Sequence, residues 1–309
     1  MNTALDFEEV IRQIDNRIDE LEAQDDERKL GEEKEKSITE SISELNSLIG
    51  LKEVKIEVNK LVNYLKFVKK LQNKINLDKI NLNMIFKGNP GTGKTTVAKI
   101  MADILYNLGY LSNNLIIEAT PQDFIAGYIG QTAIKTRKLL DKYQGGLIFV
   151  DEAYGFNHNA DEDNFADEAL AEIMKEMESK NSVFIFAGYS KEMEAFVNLN
   201  PGIKSRIGYD IEFADYTEAE LMEIFMKKLE KDGFAISDKA LEKIKNIAWN
   251  KKQEKNFGNG RMIDNLYNKL LIEHATITYE EEEMTKLLTI TEEAVMNLNL
   301  KPQSRKYFE

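Results

Sequence analysis

Gly88-Asn-Pro-Gly-Thr-Gly93-Lys94-Thr95-Thr96 is the stretch from which the rest of this 309-residue chain is read. It matches the phosphate-loop pattern G-x-x-x-x-G-K-[ST] at each fixed position. Before it, Leu82-Asn-Met-Ile-Phe86 is a short apolar run that reads as a buried strand. After it, Val97-Ala-Lys-Ile-Met-Ala-Asp-Ile-Leu105 carries apolar residues at helical spacing. Strand, glycine loop and helix in that order make a cradle for phosphates. The loop backbone at Asn89, Pro90, Gly91, Thr92 and Gly93 folds back so that N–H groups point inward. The helix that follows adds the partial positive charge of its N-terminus. Lys94 is expected to reach the β- and γ-phosphates of a nucleotide, with Thr96 beside it. The Thr95 hydroxyl is expected to ligate Mg²⁺.

Outward from that loop, short apolar strands alternate with helical patterns. Strands are expected near 82–87, 114–119, 146–151, 183–188 and 209–213, and helices near 94–107, 132–143, 165–179 and 191–198. This alternation predicts an α/β domain with a parallel five-stranded sheet covered on both faces, a three-layer arrangement. Ligand sites on such sheets lie at the carboxyl ends of the strands.

Four features follow strands in this way. Gly145-Gly-Leu-Ile-Phe-Val-Asp151-Glu152 is an apolar strand ending in two carboxylates. Asp151 would hold Mg²⁺, partly through water, because that ion dehydrates reluctantly. Glu152 would orient and deprotonate the water that attacks the γ-phosphate. Asp123-Phe-Ile-Ala-Gly127-Tyr128-Ile129-Gly130 places an aromatic and an aliphatic residue between glycines on a loop. Facing the centre of a ring, Tyr128, Ile129 and Gly130 would grip an extended polypeptide; the alternative is a packed loop tyrosine. Ser182-Val-Phe-Ile-Phe-Ala-Gly-Tyr189-Ser190 ends where Ser190 or Tyr189 could sense the γ-phosphate. Asn200-Pro-Gly-Ile-Lys-Ser-Arg206 turns the chain before the last strand. Arg206 would neutralise transition-state charge on a neighbour's γ-phosphate; the alternative is a surface ion pair. Ile49 and Gly50, ahead of a long helical pattern, are candidates to line an adenine pocket.

Beyond residue 214 the pattern is helical, near 217–231, 237–250, 261–277 and 291–298. Thr217-Glu-Ala-Glu220 is a capping box that opens the first of these helices. Arg261, at the start of another, is placed to fold back on the nucleotide of its own chain. The expected units are therefore a charged helical extension at 1–44, a nucleotide-binding α/β domain at 45–214 and a helical lid at 215–309. In the extension Ile11, Ile14, Ile18 and Leu21 form a narrow helical seam, readable as a docking helix or a solvated one.

The chain is 42% hydrophobic and 31% charged, as in ordinary globular proteins. It has no cysteine, which excludes disulfides, thiolate nucleophiles and Cys-ligated metals. Its net charge of −13 argues against nucleic acid as the main partner. No apolar run has transmembrane length and the start lacks a signal peptide, so no membrane association and a cytoplasmic location are expected. The two histidines, His158 and His274, read as ordinary loop or helix residues.

Taken together, Gly88–Thr96, Tyr128-Ile-Gly-Gln-Thr132, Val150-Asp-Glu-Ala-Tyr154, Ala187-Gly-Tyr-Ser190 and Asn200–Arg206 resemble the AAA+ ATPases. More narrowly they resemble the group containing the red-type rubisco activase and stage V sporulation protein K. The resemblance spans roughly residues 45–300. It implies a homo-hexameric ring with ATP between subunits, and Arg206 as arginine finger. It implies Arg261 as sensor 2, Tyr128 on the pore loop, and a motor that remodels a client protein. Most of the family carries Asn at the sensor 1 position, where this chain has Ser190. The client is unidentified. The competing reading is an ATP-dependent conformational switch or assembly scaffold that threads nothing.

Overall fold

The computed structural model describes residues 29, 31–71, 80–128, 130–157, 165–253 and 257–298. The seam at Ile11–Leu21, His158 and Ile129 lie outside the described residues.

Five strands form one parallel sheet in the order β2-β3-β4-β1-β5. They are β1 (Met84–Gly88), β2 (Ile116–Ala119), β3 (Leu147–Val150), β4 (Val183–Gly188) and β5 (Tyr209–Phe213). Side chains alternate across the sheet, as a period of two requires. Met84, Phe86, Leu147, Phe149, Val183 and Ile185 pack on one face; Ile85, Ile148, Val150, Phe184 and Phe186 pack on the other. Both faces are apolar because both are covered by helices.

The first face carries α1 (31–47), α2 (Lys52–Lys70) and α3 (Lys94–Asn107). The second carries α6 (Phe165–Ser179) and α7 (Ser190–Leu199), with α5 (Thr132–Lys142) beside them. There Phe186 meets Phe196 at 5.7 Å between ring centres. Two short helices, α4 (Pro121–Phe124) and α8 (Pro201–Lys204), start at prolines in the connections after β2 and α7.

The expected boundary at residue 44 falls inside α1. Ile38 and Leu45 are buried in the first core, and Lys66 on α2 bonds to Glu35 at 2.6 Å. The buried stripe of α1 is narrow and its neighbours are charged, so composition alone sets the helix apart from a body it packs against.

The lid contains α9 (Glu218–Asp232), α10 (Asp238–Lys252), α11 (Asn259–Thr278), α12 (Met284–Leu287) and α13 (Glu292–Asn297). Thr217 caps α9: its hydroxyl accepts from Glu220 N–H at 3.3 Å, and Glu220 accepts from Thr217 N–H at 2.7 Å. Where the sequence pattern shows helices alone, two strands of two residues each also occur. They are β6 (Ala235–Ile236) and β7 (Thr289–Ile290), paired in parallel. They pin the turn after α9 to the turn before α13. The lid's buried residues, among them Leu221, Phe225, Ile263 and Val295, are continuous with the first core.

Among the described residues no helix is long and apolar enough to cross a membrane. His274 is buried in the lid, its Nε2 2.8 Å from the Leu287 carbonyl, which is the structural role expected of it.

Because Leu45 is 0% exposed, Leu45→Ala is expected to lower the free energy of unfolding by about 2–5 kcal/mol in urea titration. A loss below about 0.5 kcal/mol would mean that α1 is an appendage to the body.

Candidate nucleotide site

A cavity of about 440 Å³ lies at the carboxyl ends of β1, β3 and β4, roofed by the lid. Its floor is the phosphate loop. Pro90, Gly91, Gly93, Lys94, Thr95 and Thr96 all line it. The α3 N-terminus opens into this space with no side-chain cap, and the first helical bond is Val97 N–H to Gly93 O at 3.0 Å. The amides at 94–96 therefore have no acceptor within the helix, the donor set that an anion satisfies. This is the observation that fits the site to a polyphosphate.

The loop is held rigidly from behind. Thr92 is buried, and its hydroxyl donates to Asn89 O at 2.8 Å. Lys94 Nζ donates to the carbonyls of Gly88 and Asn89 at 2.7 and 2.8 Å. Burial holds the Lys94 ammonium below the usual lysine range; the Asp151 carboxylate opposes that shift and Arg261 adds to it. A poorly hydrated cation between those groups is suited to a phosphate oxygen. Gly91, at φ +70°, touches the lid directly. A Cβ there would lie 2.3 Å from Gly258 O and 2.7 Å from Arg261 N, so no larger residue fits.

The wall opposite Lys94 is built by the end of β3. Asp151 and Glu152 both line the cavity. Asp151 Oδ1 accepts the Glu152 N–H at 3.0 Å. Glu152 has φ +51°, a left-handed conformation that is rare outside glycine. It turns the chain sharply into the 3₁₀ turn Ala153–Phe156. Strain of this kind clusters at functional sites. Among the described residues no group of three His, Cys, Asp or Glu side chains stands ready to bind a metal unaided. One carboxylate and a Thr hydroxyl beside a phosphate cradle match an ion that keeps most of its waters.

Ile49 and Arg261 both line the cavity. Gly50 does not: it sits against Glu220 and Tyr216, where a Cβ would lie 2.7 Å from the Glu220 carboxylate. The apolar end is made by Leu48, Ile49 and Ile224, with Lys227 reaching across from α9 to Ser47 O at 3.0 Å.

Several singled-out residues stand apart from the cavity. Asn89 and Thr92 support the loop from behind. Ser190 Oγ donates to Glu212 on β5 at 2.6 Å, and Tyr189 lines the cavity in its place. Arg206 is half-buried and does not line the cavity: Nη1 donates to Gly202 O at 2.7 Å, and Nη2 pairs with Glu178. Its backbone carbonyl accepts from the buried Asn83 side chain at 3.2 Å. Tyr128 is 73% exposed, and Gly130 is exposed next to it in sequence after Ile129.

Of the remaining cavity residues, Tyr189 is the sequence's alternative to Ser190, whereas Tyr154 and Tyr216 carry no site signal in the sequence read alone. Tyr154 and Tyr189 meet at 6.0 Å between ring centres, and Tyr154 lies across Gly188, where a Cβ would be 2.7 Å from its ring. Burial pushes the Tyr154 phenol up to about 12, with Glu152 adding to the shift. Tyr216 is similarly pushed up to about 12, by burial and then Glu220. Its hydroxyl lies 3.4 Å from Thr92 O.

Comparison with known proteins places this geometry. Residues 84–215 match the family model "ATPase family associated with various cellular activities (AAA)", and residues 217–301 match the AAA lid domain. The chain is 38% identical over 233 residues to stage V sporulation protein K of Bacillus subtilis, covering 73% of this chain and 72% of that protein. It is 35% identical over 266 residues to protein CfxQ of Xanthobacter flavus, covering 84% of each. It is 34% identical over 276 residues to the chloroplastic ribulose bisphosphate carboxylase/oxygenase activase of Cyanidioschyzon merolae, covering 86% of this chain and 94% of that protein. A mutant of Thermotoga maritima RuvB shares the fold, with a TM-score of 0.54 at 20% identity over 82% of this chain and 70% of that one. With a phosphate cradle under a helical lid, two family models in tandem and relatives aligned over most of its length, the chain belongs to the AAA+ ATPases and is a nucleotide-binding, ATP-hydrolysing enzyme.

Proposed function

We propose that this protein is an ATP-driven motor that remodels a client protein, working as a homo-hexameric ring. The observation that carries this reading is a second cavity of about 510 Å³. Glu152 and Gly155 form one of its walls; Pro121, Ile125, Ala126 and Gly127 form the other. Glu152 therefore stands between the nucleotide cavity and the root of the loop that exposes Tyr128. A change at the γ-phosphate has a short physical route to an aromatic grip.

In this reading Lys94 and the amides of 91–96 hold the β- and γ-phosphates of ATP. Thr95 and Asp151 would hold Mg²⁺, partly through its waters, and that ion would neutralise charge on the phosphate oxygens. Glu152 takes a proton from water as its oxygen attacks the γ-phosphorus. The bond from that phosphorus to the bridging oxygen breaks, and ADP and phosphate leave. Arg261 meets the γ-phosphate from the lid of the same chain. Arg206 meets it from a neighbour. The Glu178 pair does not prevent this, because its carboxylate is exposed, a surface ion pair contributes only about 0–1 kcal/mol, and a phosphate offers Arg206 a stronger partner. Tyr189, or Ser190 through Glu212, reports loss of the γ-phosphate to α7. Ile49 packs on the adenine. The loop of Tyr128, Ile129 and Gly130 holds the client in the ring's centre. The relative named as a ribulose bisphosphate carboxylase/oxygenase activase suggests an enzyme as the class of client. An acidic chain of this kind works without nucleic acid, without a membrane, and in the cytoplasm.

Glu152→Gln is expected to keep ATP binding and lose at least about 10²-fold in turnover, read by phosphate release. Normal turnover would remove Glu152 as the base. The threading step is tested by complementation in a host lacking its own copy of the gene. Tyr128→Ala should fail to restore function while keeping ATPase activity within about twofold of wild type. Restoration by Tyr128→Ala but not by Lys94→Ala would contradict threading and support the conformational switch.

A further inference from the structure

Behind the phosphate loop, polar side chains from three distant parts of the chain meet. Asn89 Nδ2 donates to both oxygens of Asp215, at 3.0 Å each. Asn259 Nδ2 donates to Asp215 Oδ1 at 2.7 Å and to Pro90 O at 3.3 Å. Asn259 Oδ1 accepts the Tyr216 N–H at 2.9 Å. One residue further on, Gly260 N–H donates to Gly91 O at 3.0 Å. Asn259 is fully buried, with φ +48°. A buried non-glycine residue holds that conformation only where its surroundings over-determine it.

The placement of these groups matters more than their number. Asn89 belongs to the phosphate loop. Asp215 belongs to the connection between β5 and α9, where sheet gives way to lid. Asn259 opens α11, two residues before Arg261. A single carboxylate thus joins the nucleotide's cradle to the helix that aims Arg261. Carboxylate oxygens accept several hydrogen bonds at once, and bonds to an ionised acceptor are stronger than neutral ones. An asparagine at 215 keeps one acceptor oxygen; an alanine keeps none.

We propose that Asp215 and Asn259 are positioning residues for ATP hydrolysis, locking the phosphate loop to the first turn of α11 so that loading of the loop sets the lid and delivers Arg261. This rests on the reading of Arg261 as a γ-phosphate contact. Neither side chain lines the cavity, so neither contributes directly to nucleotide binding. Their loss removes an arrangement needed in the transition state and leaves ground-state binding nearly intact, the pattern of a lowered kcat at a steady KM.

Because the chain has no cysteine, Lys138→Cys on α5 and Lys245→Cys on α10 give a single pair of exposed sites for spin labels. The test measures the distance between them with and without Mg-ATP in full-length Glu152→Gln protein, alongside binding of a fluorescent ATP analogue. Steady-state kinetics are measured with Glu152 intact. Asp215→Ala is expected to bind the analogue, to lose the ATP-induced change in distance, and to lower kcat at least about tenfold with KM within about threefold. Asn259→Gly accepts the left-handed backbone freely and should give the same pattern, and it carries the test if Asp215→Ala does not fold. Asp215→Asn should stay within about threefold of wild type because an acceptor remains. An Asp215→Ala or Asn259→Gly protein that closes and turns over like wild type would overturn the proposal. So would a raised KM at unchanged kcat. Failure of the nucleotide-site reading itself shows separately, as a wild-type chain that does not bind the analogue, and it takes the latch with it.

Discussion

Gly91 O accepts a hydrogen bond from Gly260 N–H at 3.0 Å, and through that contact the phosphate loop and the lid share one backbone interface. Two glycines are needed for chains to approach so closely: a Cβ on Gly91 or on Gly260 would collide with the other segment. The cavity exists because this contact fixes how near α11 comes to α3. The uncapped N-terminus of α3 then faces the turn that carries Arg261. Asp151 and Arg261 come close enough to act on the Lys94 charge.

Charge is distributed to the same end. The chain as a whole carries −13. Within the cavity, however, Lys94, Lys227 and Arg261 converge from loop and lid on a single space. Low-dielectric walls focus such a local field. Asp151 and Glu152 line the cavity from the end of β3, where they are suited to a hydrated cation and a proton, while a third carboxylate, Asp264, lines it from α11 in the lid. The placement of Lys94 opposite Asp151 and Glu152 follows from topology. β1 lies between β4 and β5, with β3 one strand further out, so the loop after β1 and the turn after β3 face each other across the end of β4.

Much of this was readable from residues in order. The strand–loop–helix around Gly88–Thr96 and the apolar run ending in Asp151-Glu152 are local patterns, and their elements lie where periodicity puts them. The cavity gathers Pro90, Gly91, Gly93–Thr96, Asp151, Glu152, Ile49 and Arg261. What was hidden depends on pairing across long separations. Tyr216 reaches Thr92, and Asn259 reaches Pro90 and Asp215; each is an ordinary polar or aromatic residue until the lid folds down. Arg206 was visible as a candidate, but its pairing with Glu178 was not, because α6 and α8 are brought together only by the sheet. Strands β6 and β7 have two residues each, too few to show a period. In α1 charged neighbours conceal a buried stripe at Ile38 and Leu45.

The motor reading needs one chain to complete the site of another, since Arg206 does not line the cavity of its own chain. The direct measurement is the ATPase rate per subunit across a dilution series, with the mass distribution of the same samples recorded by mass photometry with and without ATP. The ring account predicts that the rate per subunit rises steeply as hexamers replace monomers. A monomer that hydrolyses ATP at the full rate, with no dependence on concentration, would contradict it.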